Sequence, residues 1–310
     1  NRNFKDFKFQ HKRNKNQILY TSRKTLSDRE VLNLIDNFLG EKNSFIFESV
    51  EKGKVRGRYT IFGKNPDKIW EFNNKNSYLI ANKVKKKIKG DPDKIIEKII
   101  EDFKFKTPRK LPPICSLISG YFSYDSIRYI EKIPNKCKDD LKLPDVRLLR
   151  PKTLVIHDNL KKKIFYIVNI FNDEKILNYK KKYLEIESEI NDLLIQASLE
   201  KDNSYKSTKT NIKVKSNTTK SKFLKIVNKA KEYIRIGDIF QVVLSQRFES
   251  KLTKRPLEIY KKLRVTNPSP FMYFFNFKDF QIIGASPEIL VRLRDNKITI
   301  RPIAGTRPRG

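Results

Sequence analysis

Cysteine is nearly absent from this chain. Cys115 and Cys137 are the only two in 310 residues, too few for a disulfide framework and without the clustered spacing of a zinc site. No stretch of about 18 uncharged apolar residues occurs, so the sequence supports no transmembrane helix, and the Lys-, Asn- and Phe-rich start lacks the apolar core of a signal peptide. The expectation is a cytoplasmic protein with reduced thiols and no membrane association. Histidine is equally scarce. His11 and His157 have no partnered Ser or Cys pattern, so neither reads as a catalytic base. The single tryptophan, Trp70, reads as a core residue. The glycine-lysine stretch GKVRG (residues 53–57) lacks P-loop spacing and reads as a loop.

Acidic residues are also few beside the basic ones, with 35 Asp and Glu against 68 Lys and Arg, a formal net charge of +33. Such an excess raises the possibility of a noncatalytic, nucleic-acid-binding protein. Two features argue against it. The lysines are scattered through every segment instead of forming one stripe, and lysine far outnumbers arginine, the residue suited to bidentate phosphate and base contacts. With asparagine, isoleucine and phenylalanine also abundant, the bias reads as drift in an AT-rich genome, and no nucleic-acid partner is expected. The hydrophobic content of 38% is enough for a true core, in one large or two ordinary domains.

Composition changes near residues 196–220, where Ser, Thr, Asn and Lys lose apolar periodicity. This predicts a domain over 1–200, a linker at 201–220 and a second domain over 221–310. In the first, Ser27 with Glu30 forms a capping box ahead of Val31, Leu34, Ile35 and Phe38 on one helical face. Strands are predicted at 45–50, 58–62 and 118–124, and a hairpin pairs 153–157 with 163–169. Residues 177–199 have helical spacing. In the second domain, Phe223, Val227, Ala230 and Ile234 mark a helix that Gly237 ends in the left-handed conformation. Residues 239–248 then alternate as a strand, with Phe240, Val242, Leu244 and Phe248 toward the core and Gln241, Ser245 and Arg247 toward a site. Pro256 opens a short helix, and hairpins pair 272–277 with 280–284 and 289–294 with 297–302. Helices and strands without regular alternation predict an α+β fold of mixed sheets with packed helices.

Seven ordered blocks carry a family resemblance: FIFESVEKGKVRGRYTIFG (45–63), GYFSYDSIRYIE (120–131), LPDVRLLRPKTLVIHD (143–158), GDIFQVVLSQRF (237–248), NPSPFMYFF (267–275), GASPEILVR (284–292) and RPIAGTRPRG (301–310). In this order they resemble the large subunit of anthranilate synthase, within the wider chorismate-binding family. The resemblance implies conversion of chorismate and ammonia to anthranilate and pyruvate, with feedback inhibition by tryptophan. It implies Mg2+ as cofactor, with ligands expected downstream of residue 310. It also implies a glutamine amidotransferase partner subunit in a heterotetramer, since this chain holds no cysteine in an amidotransferase setting. Residues 1–200 then read as the regulatory and structural domain, and 221–310 as the start of a chorismate-binding catalytic domain. The absence of a starting Met and the stop inside a substrate-binding block read as truncation at both ends.

Particular residues follow from the same resemblance. Gly305 and Thr306 are similar to the family's substrate-binding pair, with a backbone N–H and a hydroxyl as donors. Glu288 in the SPE turn resembles the general acid that protonates the departing ring hydroxyl. Gln241 stands where relatives that add water carry a lysine base, and a neutral amide cannot take a proton from water. Ala304 stands where aminodeoxychorismate-forming relatives generally carry a nucleophilic lysine, which disfavours that alternative. Glu48, Ser49, Pro270, Phe271 and Met272 resemble the pocket for tryptophan, with Phe and Met suited to an indole and Ser49 to its polar end. Phe271 departs from the common tyrosine, and FIFES departs from the usual LLES.

Overall fold

The computed structural model describes residues 4–301 except 14, 25–28, 52–53, 56, 75, 104–106 and 200–211. Two long strands, Tyr59–Asn73 and Val146–Asp158, pair antiparallel along their length and form the spine of a ten-stranded sheet. In chain order the strands of this sheet are β1 (Gln17–Lys24), β2 (Ser44–Glu48), β3 (Tyr59–Asn73), β4 (Asn76–Ala81), β5 (Val84–Ile88), β6 (Ser119–Phe122), β7 (Val146–Asp158), β8 (Lys163–Ile170), β9 (Phe271–Asn276) and β10 (Gln281–Ser286). The helices are α1 (Phe4–Lys12), α2 (Arg29–Phe38), α3 (Pro92–Asp102), α4 (Tyr179–Ser198), α5 (Lys220–Arg235) and α6 (Pro256–Thr266). The α+β expectation is met.

The main path through the sheet is β1-β8-β7-β3-β2-β9-β10, every pair antiparallel, with β4 and β5 extending from β3 and β6 pairing β7. The β3–β7 ladder shifts register once, between Pro66 and Lys68, where Pro66 faces Pro151. Proline donates no ladder hydrogen bond, so facing prolines belong at a bulge, and Asn65 there takes φ 52°. The bulge splits the spine into two halves with different neighbours. Residues 45–47 of β2 pair 61–63, whereas β4 pairs 68–73.

Both faces of the first half are buried, which the alternation along β8 makes plain. Ile164, Tyr166 and Val168 join Leu34, Ile35, Phe38 and Leu193 in one core, while Phe165 and Ile167 join Leu111, Cys115 and Phe277 in another. A strand covered on both sides is apolar at nearly every position. Val31, Leu34, Ile35 and Phe38 are all buried, as their spacing predicts. Ten residues are too few for a helix stable by itself, so α2 is held by this packing, at about 2 kcal/mol for each large side chain removed from water. A third core, Trp70, Phe72, Ile99, Val146 and Leu148, lies under α3. Trp70 is the core residue its type suggests.

Among the described residues, charged side chains enter this interior in pairs. Arg150 donates to Asp67 at 2.9 Å and to Asp173 at 2.8 Å, and its guanidinium lies 4.0 Å from the Phe171 ring centroid. Partial burial raises the Asp173 carboxyl, but hydrogen bonds from Arg150 and Lys68 outweigh it and hold the group at about 2, below its ordinary 3.8. A depressed folded-state pKa stabilises the fold above the unfolded value and loses that contribution as the group protonates. Denaturant midpoints measured between pH 5 and pH 2 should therefore fall most steeply below about pH 4. Arg150→Met should flatten that fall, and an unchanged slope would remove Asp173 from the acid response.

Contacts divide the chain into one compact unit of Asn1–Lys201 with Pro256–Gly310 and a second of Asp202–Arg255. Residues 256–301 join the first unit, where β9 hydrogen-bonds to β2 and β10 to β9. Long-range strand pairing returns the chain to the first sheet after 255. Within the second unit, Val214–Ser216 pairs Phe248–Ser250, and Thr219 Oγ1 caps α5 by accepting from Lys222 N at 3.3 Å. Gly237 ends that helix with φ 84°.

The strand expected over 239–248 does not form. Only Phe248–Ser250 is extended in a ladder, and Phe240 is 99% exposed. A strand needs a hydrogen-bonded neighbour, and no described strand pairs 239–247, so its alternating pattern has nothing to pack against. The last hairpin forms as Arg292–Arg294 with Lys297–Thr299, turned by Asp295 and Asn296 at φ 50° and 58°. Ser27 of the expected capping box lies outside the described residues, while Glu30 falls in the first turn of the helix it would open. Among the described residues no helix is long and apolar enough to cross a membrane.

Candidate functional site

The two blocks expected to share an inhibitor pocket, 48–49 and 270–272, are adjacent in space. β9 lies beside β2 with Met272 opposite Glu48 and Phe274 opposite Ile46. Just beyond the ladder, Val50 N donates to Ser269 O at 2.9 Å, closing the NPSP turn onto the end of β2. Met272 is buried, while Phe271, its neighbour on the strand and so on the opposite face, is 43% exposed; Ser49 is half-buried. Pro270 is exposed immediately before β9.

Glu48 is the electrostatic centre of this region. Its side chain is fully buried, and Oε1 accepts from Tyr260 Oη and from Arg264 Nε at 2.8 Å. Oε2 is buried with no hydrogen-bond partner among the described residues. A buried carboxylate oxygen without a donor costs free energy, so Oε2 is an acceptor that a cationic or hydrogen-bonding group would satisfy. Burial and the Glu48 charge both push the Tyr260 phenol far above its ordinary value, keeping it a donor. Tyr260 and Arg264 are one helical turn apart on α6, and sequence reasoning misses both. The only visible signal is a Tyr and an Arg at i and i+4; their partner lies 212 residues away from Tyr260.

The same ladder reaches the expected general acid. Across β9 and β10, Met272 faces Ala285 and Phe271 faces Ser286. Glu288 follows two residues later, half-buried in a turn where Ser286 Oγ donates to Glu288 O at 3.0 Å. Glu48, Met272 and Ala285 therefore form one row across three strands, with the SPE turn at its end. Gln241 belongs to the second unit, on an exposed irregular stretch. Ala304, Gly305 and Thr306 lie outside the described residues. A cavity of about 360 Å³ at β1 and α4, lined by Tyr20, Thr21, Tyr183 and Asn191 among others, includes none of these residues.

Among the described residues no group of three or more His, Cys, Asp or Glu side chains could hold a metal ion. The donors among them do not fit a magnesium site.

Residues 45–310 match the family described as chorismate binding enzyme. The chain belongs to that family. The chain is 36% identical to anthranilate synthase component 1 of Cereibacter sphaeroides over 99% of its own length and 63% of that protein's. To anthranilate synthase component 1 of Acetivibrio thermocellus it is 38% identical, over 94% of its length and 60% of the relative's. The crystal structure of anthranilate synthase component I from Streptococcus pneumoniae TIGR4 superposes with a TM-score of 0.67 at 30% identity, covering 80% of this chain and 54% of that one. The chain thus spans about three fifths of the length of these curated relatives.

Proposed function

We propose that this chain carries the regulatory part and the front of the catalytic part of an anthranilate synthase large subunit. The observation that supports the reading most is the row Glu48–Met272–Ala285, which ties the expected inhibitor residues to the turn of the expected acid, Glu288. In this reading Gly305 and Thr306 bind chorismate. Glu288 protonates the departing ring hydroxyl, which leaves as water, while ammonia attacks the ring carbon beside the carboxylate-bearing one. Loss of pyruvate then yields anthranilate. Gln241, a neutral amide, does not activate water and so leaves the site to ammonia. That ammonia comes from glutamine through a separate amidotransferase subunit, in a cytoplasmic heterotetramer. The Mg2+ this chemistry uses is held by residues beyond the described ones.

Anthranilate fluorescence from chorismate, ammonium and magnesium, followed with the complete gene product, tests the activity. A product that keeps the enolpyruvyl group on an amino-substituted ring would move the reading to aminodeoxychorismate synthesis, and no reaction would end it.

Tryptophan is the feedback inhibitor, its indole on Phe271 and Met272 beside Pro270, and its amino-acid end at Ser49 and Glu48 Oε2. Calorimetry should show tryptophan binding, weakened by about tenfold in Glu48→Gln, the effect of losing one charged hydrogen bond. Heat signals indistinguishable from buffer dilution would sink the pocket.

A further inference from the structure

Helix α6 touches both ends of the Glu48–Met272–Ala285 row. On one side Tyr260 and Arg264 grip the buried Glu48 carboxylate through its Oε1. Their spacing of four residues places both on one helical face. The helix is also tied to α2 by the Lys261–Asp36 ion pair. On the other side α6 lies against β10, and its Leu257 and Leu263 pack with Ile283 and Ala285 around the core that includes Tyr260 and Phe274. At its end Asn267 N donates to Leu263 O at 2.8 Å, so the NPSP turn leaves the helix directly.

One carboxylate thus serves two claimants. Oε1 holds α6, and Oε2 is the acceptor that has no donor among the described residues. A cationic group bound at Oε2 draws on the same negative charge that holds Arg264 and Tyr260. Its arrival therefore changes how firmly α6 is docked. A ligand shifts a conformational equilibrium only through such a difference in interaction between states.

We propose that Tyr260 and Arg264 are positioning residues that convert occupancy of the 48–49/270–272 pocket into a change at the Ser286–Glu288 turn, with α6 as the moving part. This rests on the pocket being the tryptophan site. The occupant's class is an α-amino acid, whose ammonium answers Oε2.

The test uses the complete gene product with ammonium as nitrogen donor, comparing wild type with Tyr260→Phe, Arg264→Gln and the conservative Arg264→Lys. Tyr260→Phe keeps the ring and the packing, so it guards against loss of fold. Two quantities are read: tryptophan affinity by calorimetry, and the activity remaining at saturating tryptophan. Without tryptophan, kcat and KM should stay within about twofold of wild type. With tryptophan bound to saturation, Tyr260→Phe and Arg264→Gln should retain most of their activity, while Arg264→Lys recovers part of the inhibition. Variants that are inhibited as completely as wild type at saturation, whatever their affinity, would overturn the coupling and leave the pocket standing. A wild type that binds no tryptophan would overturn the pocket and the coupling together. Variants that no longer bind tryptophan at any concentration would make these residues part of the pocket itself and also defeat the proposal.

Discussion

Glu288→Gln in the complete gene product is expected to lower kcat for ammonia-dependent anthranilate formation by about 10²- to 10⁴-fold, the usual value of a positioned proton donor. Glutamine keeps the length and hydrogen-bonding reach of the side chain but has no acidic proton to give a departing hydroxyl. Because the interaction is made only as the C–O bond breaks, KM for chorismate should change little. The turn around Glu288 is shaped by Ser286, whose hydroxyl donates to the Glu288 carbonyl, and this contact involves the backbone, so the substitution leaves it intact. Tryptophan affinity serves as the fold control, since Met272 and Phe271 of the pocket face Ala285 and Ser286 and not Glu288. Turnover equal to wild type would remove Glu288 from the chemistry.

The second large effect concerns stability. Gly120→Ala should cost about 3 kcal/mol, at the upper end of overpacking penalties, measured by urea unfolding. Gly120 in β6 faces Leu148 in β7, and a Cβ there would meet Arg147 O at 1.9 Å and Arg147 C at 2.9 Å. Those atoms are backbone of the central β3–β7 spine and cannot rotate aside. Nor can the strand shift cheaply, because the Arg147 side chain is itself held, at 2.5 Å from Glu71 and 2.8 Å from Asp279. Gly40→Ala is the control: nothing lies within 4 Å of the place its new Cβ would take, and its effect should stay within about 0.5 kcal/mol. Equal unfolding midpoints for the two variants would show that β6 can move away from the spine.

Much of the molecule is legible from residue order. Apolar spacing locates α2, α4 and α5, turn chemistry locates the hairpin at Asp295 and Asn296, and the seven blocks point to the chorismate-binding family. Each of these depends on neighbours a few residues apart or on ordered motifs, which a sequence displays directly. Residues 239–247 mark the limit: their alternation is real, but a strand also needs a partner, and no described strand supplies one.

What the sequence by itself determined, then, is the family, the α+β class and the elements with strong local spacing, among them α2, α4 and α5. Tertiary structure alone decided that the hairpin of β9 and β10 joins the first sheet, that Glu48, Met272 and Ala285 share a row, and that Tyr260 and Arg264 hold Glu48. The reason is distance along the chain. Glu48 and Tyr260 are 212 residues apart, and nothing local in either stretch records a hydrogen bond that exists only once β9 has paired with β2.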